Sequence, residues 1–253
     1  MTLSSSRWHQ RYLQQARWTQ NLRKYIYDQV VIQRANKILD IGVGTGVLEN
    51  ELNRNSPSHV FGLDIDSSAL RIAQEYAPKS VYTVGDCINL PFQTRVFDVT
   101  LCHFLLLWVK DALNAVEEMA RVTRPNGYVL ALAEPDYGGR IDFPSELSQL
   151  GIWQTEALRE QGANPFMGRE VRSIFSRAGL VNIDVGVLGG QWGENISDQD
   201  LELEWEVIQS DLRQNNDFIL QADRLKDLEL TSRKILQRIL FVPTFYAIGV
   251  VKG

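Results

Sequence analysis

The stretch Lys37-Ile38-Leu39-Asp40-Ile41-Gly42-Val43-Gly44-Thr45-Gly46-Val47-Leu48 constrains the fold more than any other part of the chain. A short apolar run (Ile38, Leu39, Ile41) ends in glycines at alternate positions, and an apolar-periodic segment through Leu52 follows. That order predicts a buried parallel strand, a tight turn and the first turn of a helix. Glycine allows backbone conformations closed to other residues and lets a ligand approach closely. The helix start beyond it leaves N–H groups without intrahelical partners. Such a turn is suited to holding a cofactor.

Spacing separates two cofactor classes. The dinucleotide fingerprint is G-x-G-x-x-G; here the glycines fall at 42, 44 and 46, and position 47 is valine. With Asp40 two residues ahead, the run Asp40-Ile41-Gly42-Val43-Gly44-Thr45-Gly46 resembles the [D/E]-x-G-x-G-x-G motif of the class I methyltransferases that use S-adenosylmethionine (SAM). The resemblance continues downstream. His59 to Asp66 is predicted as a second strand ending in acids. Asp64, with Ile65 beside it, stands where a carboxylate can accept both ribose hydroxyls of an adenosine. Gly85-Asp86-Cys87-Ile88-Asn89-Leu90-Pro91-Phe92 after a third strand (Ser80 to Val84) is similar to a family stretch that recognises adenine, with Asp86 accepting from the amino group and the Cys87 main chain donating to a ring nitrogen. A fourth strand (Val96 to His103) ends at Cys102 and His103, which the resemblance sets against the methionine half of the cofactor. Arg121-Val122-Thr123-Arg124-Pro125-Asn126-Gly127 and a fifth strand, Tyr128 to Ala133, repeat another family pattern.

The β-α alternation predicts a parallel sheet with helices on both faces, and ligands in such sheets bind beyond the carboxyl ends of the strands. Asp40 to Gly46, Asp64, Asp86, His103 and Glu134 all fall at those ends. The expected fold is α/β: a three-layer Rossmann-like methyltransferase fold with a seven-stranded, mostly parallel sheet, an antiparallel last strand and helical lid insertions. The expected divisions are 1–36, cofactor-covering helices; 37–193, the SAM-binding core with a helical insertion near 140–161; 194–240, a helical lid; and 241–253, the final core strand. Tyr12 and Trp18 in the first segment are candidates to lie over the sulfonium, since aromatic faces stabilise cations.

Composition sets the remaining bounds. With 253 residues, 44% hydrophobic, the chain can bury a sizeable core. A net charge of −5 gives no electrostatic footprint for nucleic acid. Charge is uneven: residues 1–37 carry seven Lys/Arg and one acid, residues 194–238 eleven acids and six bases. These are either solvated faces or complementary caps that meet over one cleft. Cys87, Cys102 and three histidines fit no metal spacing, so no metal site is expected. No apolar run is long enough to span a bilayer, no signal peptide is recognisable, and the cytoplasm is the expected compartment.

The implied reaction is transfer of a methyl group from SAM to a small-molecule acceptor by in-line displacement. The catalytic residues are not fixed by the motif, because an activated donor chiefly requires alignment. His103, Glu134, Asp136 and Tyr137 are the candidates on the acceptor side, and His103 is the only histidine there that could act as a base. Two alternatives remain: a non-catalytic SAM-binding sensor or partner subunit, and a nicotinamide-dependent oxidoreductase, against which the glycine spacing and Asp86-Cys87 speak. Acceptor identity, methylated atom and oligomeric state have no sequence signature.

Overall fold

A computed structural model describes residues 4–187 and 197–253. Leu188, Glu194 and the expected boundary at 193/194 lie outside them. Seven strands form one sheet: β1 (Lys37–Ile41), β2 (His59–Asp64), β3 (Val81–Val84), β4 (Phe97–Cys102), β5 (Thr123–Pro135), β7 (Val181–Val187) and β9 (Thr244–Val250). Their order is β3-β2-β1-β4-β5-β9-β7. β1 to β5 run parallel, and β9 lies antiparallel between β5 and β7. This is the expected Rossmann-like sheet with its inverted last strand.

Alternation along each strand builds two cores. Leu39, Ile41, Val129 and Ala131 face α5 (Ala112–Val122) and α7 (Met167–Arg177). Ile38, Val99, Leu101, Leu130 and Leu132 face α2 (Gln20–Gln29) and α3 (Val47–Asn55). Side chains two apart share a face, so Asp40 points the same way as Ile38, under α3. The strands are also tied at their entry ends. Buried Asp98 accepts from the Asn36 and Lys37 N–H groups at 2.6 and 2.8 Å and pairs with Arg124 at 2.5 Å. Thus Phe97-Asp98 and the Arg124-Pro125 pattern fix the start of β1 against β4 and β5.

A third core lies off the sheet. Leu147, Leu150 and Trp153 of the 145–160 region pack with Leu201 and Trp205 of α8 (Asp198–Asp211) and with Phe218 and Leu225 of α9 (Asn216–Lys234); α6 spans Ser148–Glu160. Alongside runs a two-stranded ribbon absent from the sequence reading, β6 (Ile141–Phe143) with β8 (Ile239–Phe241). Each strand is three residues long, too short to show a period. The ribbon and helices form a cap fastened by a nearly dry ion network. Asp142 accepts from Arg140 (2.6 Å) and Arg238 (2.7 Å), and Glu229 accepts from Arg238 (2.6 Å) and pairs with Arg233 (2.6 Å).

α1 (Ser5–Trp18) joins cap to core. Arg7 pairs with Glu206, Arg17 with Asp200, and the Gln14 amide donates to the Asp200 carbonyl at 2.9 Å. The basic and acidic segments therefore meet as complementary surfaces. Among the described residues no helix is long and apolar enough to cross a membrane.

Asp142→Ala leaves Arg140 without a carboxylate, and Arg238 with Glu229 alone, in a buried setting. It should lower the unfolding free energy by about 3–5 kcal/mol, read as a lower urea midpoint. A shift no larger than that of the exposed control Asp223→Ala would contradict the role given to the network.

Candidate functional site

The turn after β1 shows why glycine recurs there. Gly42, Gly44 and Gly46 have φ of +75°, +53° and +80°, in the left-handed region that costs other residues. A Cβ on Gly46 would lie 2.9 Å from the Ala73 backbone, in α4 (Ser67–Tyr76). A Cβ on Gly44 would lie 3.3 Å from the Tyr12 ring. The second strand closes the turn from the other side. Asp64 Oδ2 accepts from the Gly44 N–H at 2.7 Å, and Oδ1 accepts from the Asp66 N–H at 2.9 Å. Each oxygen keeps a lone pair for a further donor, and Ile65 beside it is 71% exposed. At the third tip, Asp86 Oδ1 accepts from the Ile88 N–H at 3.1 Å and the rest of the side chain is exposed. Half-buried Cys87 follows, its thiol pushed up to about 11 by burial and then by Asp86. Cys102 is buried and equally inert, its thiol raised chiefly by burial; both cysteines are free.

α1 covers this ground. His9 Nδ1 is 2.7 Å from Thr45 Oγ1 in the glycine turn, and Tyr12 abuts Gly44. Trp18 sits six residues on, roughly 9 Å along the helix axis, with the Arg11 guanidinium stacked 4.5 Å from its ring. At the fourth tip, His103 Nε2 is 2.8 Å from Thr19 Oγ1, which also receives Arg23 at 2.5 Å. Burial, and secondarily Arg23, holds His103 well below the usual histidine range, so its ring is neutral at physiological pH.

The four acceptor-side candidates separate. Glu134 does not face an acceptor: its carboxylate is fully buried and accepts from the Leu105, Leu106 and Leu107 N–H groups at 3.1, 3.0 and 3.2 Å. It holds the turn after β4, and burial pushes it up to about 7. Asp136 is buried too, receiving Arg169 at 2.5 and 2.7 Å and the Gly138 N–H at 3.0 Å. Tyr137 and His103 keep water-accessible surface although protein closes around them.

One buried group at the site was missed. Glu49, in the first turn of α3, is fully buried, and its carboxyl meets no N–H or hydroxyl donor among the described residues, only the Asp40 carboxyl. Burial and the nearby Asp40 raise it well above the ordinary glutamate value; burial in turn lifts Asp40 to about 7. Leu48, Glu49 and Leu52 share one helical face, so an acid inside an apolar stripe was the available signal. A carboxyl whose pKa is higher folded than unfolded favours folding at low pH, and loses that advantage as pH rises through the folded value. Stability should therefore fall between about pH 4 and pH 7, and Asp40→Asn should flatten that part of the curve in thermal melts. An unchanged slope would refute the shift.

The groups present suit an adenosyl cofactor: an exposed acceptor carboxylate at Asp86 beside half-buried Cys87, acceptor lone pairs on Asp64, and side-chain-free backbone at Gly42 and Gly44. Comparison with known proteins agrees. Residues 39–131 match a family model described as a methyltransferase domain. An uncharacterized methyltransferase of Schizosaccharomyces pombe is 30% identical over 175 residues, 64% of this chain and 62% of that one. A demethylmenaquinone methyltransferase of Paenarthrobacter aurescens is 32% identical over 116 residues, 46% of this chain and 45% of that one. The mitochondrial arginine-hydroxylase NDUFAF5 of Mus musculus is 29% identical over 152 residues, 58% and 43% respectively. The matched part thus spans under two thirds of each of these relatives. By fold, phosphoethanolamine N-methyltransferase 2 of Haemonchus contortus, solved with phosphomonomethylethanolamine and S-adenosylhomocysteine, superposes with a TM-score of 0.60 at 16% identity, over 95% of this chain and 57% of that one. Glycine turn, strand order and the match over residues 39–131 mark a methyltransferase domain of the kind that uses S-adenosylmethionine, on the fold shared by solved methyltransferases.

Proposed function

We propose that the chain transfers a methyl group from SAM to a small-molecule acceptor held between α1, the Tyr137 turn and the cap. The observation that carries this reading is the cap itself: a roof with its own apolar core and ion network, set over the strand ends. Such a roof suits enclosing a compact substrate. The 32% identical demethylmenaquinone methyltransferase supports the same class of acceptor. On this reading residues 1–36 cover the cofactor, 37–193 bind it, 194–240 form the lid and 241–253 complete the sheet. Free cysteines support a reducing, cytoplasmic setting.

When bound, SAM supplies a methyl group already activated on a sulfonium. The chain's residues then have to bind, align and exclude water. The Gly42-to-Gly46 backbone takes the methionine portion, Asp64 and Ile65 the ribose, and Asp86 with the Cys87 N–H the adenine. Asp40 and the strand tip at Cys102 and His103 line the methionine end, and Tyr12 closes over it. Neutral His103, its ring held by Thr19, shapes the strand tip without taking a proton, because burial and Arg23 disfavour its charged form. Tyr137 lines the acceptor side.

The arginine-hydroxylase relative supports a second reading, in which the acceptor side receives a protein side chain. Methyl-labelled SAM, incubated with the protein and separate small-molecule and protein fractions of a cell extract, tests both. Label in the small-molecule fraction is expected; label in protein favours the second reading, and label in neither, with cofactor bound, a sensor. Gly44→Val should weaken S-adenosylhomocysteine binding at least about tenfold, by the crowding of Tyr12 and the strain of a branched residue at positive φ. Tyr137→Phe should leave that affinity within about twofold and lower turnover, since Tyr137 stands on the acceptor side. Undiminished affinity in Gly44→Val would overturn the cofactor assignment.

A further inference from the structure

Seven arginines among the described residues are buried or half-buried. Arg7, Arg23, Arg121, Arg140, Arg233 and Arg238 each meet a carboxylate within ion-pair distance. Arg11 alone does not. Its hydrogen-bond partner is uncharged: one guanidinium nitrogen donates to Gln14 Oε1 at 2.6 Å. Glu204 and Asp211 act on it electrostatically but neither forms an ion pair with it: Glu204 pairs with Arg233 at 3.5 Å, and Asp211 accepts from the Gln161 amide at 3.3 Å. Leaving a guanidinium enclosed and unpaired is costly, and the fold neutralises every other one.

The position of Arg11 says what the charge is for. It follows from helical spacing that Arg11, Gln14 and Trp18 share the face of α1 turned toward the cap, where Gln14 donates to Asp200. Tyr12 and Thr19, on the neighbouring face, reach Gly44 and His103. Arg11 therefore stands one residue from Tyr12, which abuts the cofactor turn, with Tyr137 within electrostatic reach. Its guanidinium lies over the Trp18 ring at 4.5 Å, and that indole is half exposed. The ring restricts the orientation of the fork, and apart from the nitrogen given to Gln14 its donors have no partner among the described residues, an arrangement that can meet two oxygens of one anion.

We propose that Arg11 anchors an anionic group, carboxylate or phosphate, on the methyl acceptor, with Trp18 fixing the guanidinium plane. This rests on the reading of the covered space as the acceptor site. The acceptor is then a small acid, bound by its charged end under the cap so that its nucleophilic atom faces the cofactor turn.

The test uses the whole chain saturated with S-adenosylhomocysteine and titrated calorimetrically with butyrate, n-butyl phosphate and the neutral control n-butanol. The chain should bind one or both anions, and the stronger arm identifies the headgroup. Arg11→Gln should weaken that binding at least about tenfold, as expected for loss of a charge-assisted pair. Arg11→Lys should fall between, because an ammonium keeps the charge without the fork. Cofactor-product affinity and melting temperature serve as controls; should Arg11→Gln fail to fold, Arg11→Lys and Trp18→Leu carry the comparison. Equal anion binding by the variants and the parent, or anion binding no better than butanol, would overturn the proposal. Failure of the chain to bind S-adenosylhomocysteine at all would instead count against the reading beneath it.

Discussion

Two backbones approach too closely at Gly46 to admit a side chain. A Cβ there would lie 2.9 Å from the Ala73 main chain, so the start of α3 is pressed against α4. The same turn, held at positive φ, receives the Asp64 carboxylate from one side and Tyr12 from the other. Sheet, two crossover helices and the covering helix are thereby referred to one stretch of five residues. Larger side chains here would push α4 or α1 away and open the ends of the strands to water. The turn thus acts as the reference point for everything that stands around it, rather than as a binding loop alone.

Charge is handled differently in the two halves of the site. On the cofactor side, carboxyls are buried beside each other: Asp40 and Glu49 share a space that disfavours two negative charges. On the acceptor side, guanidinium groups dominate, and all the enclosed ones but Arg11 are balanced by carboxylates of the cap. The two regions meet along α1, whose residues touch the glycine turn at His9 and Tyr12 and the cap at Arg7, Gln14 and Arg17. One helix therefore senses both surfaces, and its packing is the physical link between them.

Much of the sheet is legible in the sequence because its signals are local. Strand periods, turn glycines and N-caps such as Asp66 and Asp111 each act over a few residues. The tips that gather around the glycine turn follow from topology once the strands are parallel. What escapes is whatever depends on a distant partner. Glu134 reads as an acid leaving a strand toward substrate, yet three N–H groups of the 105–107 turn claim it. Asp136 is taken by Arg169 for the same reason. The ribbon of β6 and β8 brings together segments about a hundred residues apart, and no short-range pattern announces it. Charge segregation between the first and the later helices is visible in composition, but which side chains pair is decided only by packing.

The last strand pairs with the one before the cap, Val187 standing opposite Phe245. The segment between them, residues 188–243, leaves and re-enters the sheet at neighbouring points. Holding such ends together costs little extra as the excursion lengthens: relative to a tight hairpin, about 2 kcal/mol by loop-closure entropy. Most of the roof can therefore be lengthened, shortened or replaced over evolutionary time without re-registering a strand of the seven-stranded sheet, while the floor beneath, with its nucleotide-facing turns, stays as it is. Selectivity for a substrate and competence for a donor are in this way free to diverge on separate schedules within one polypeptide.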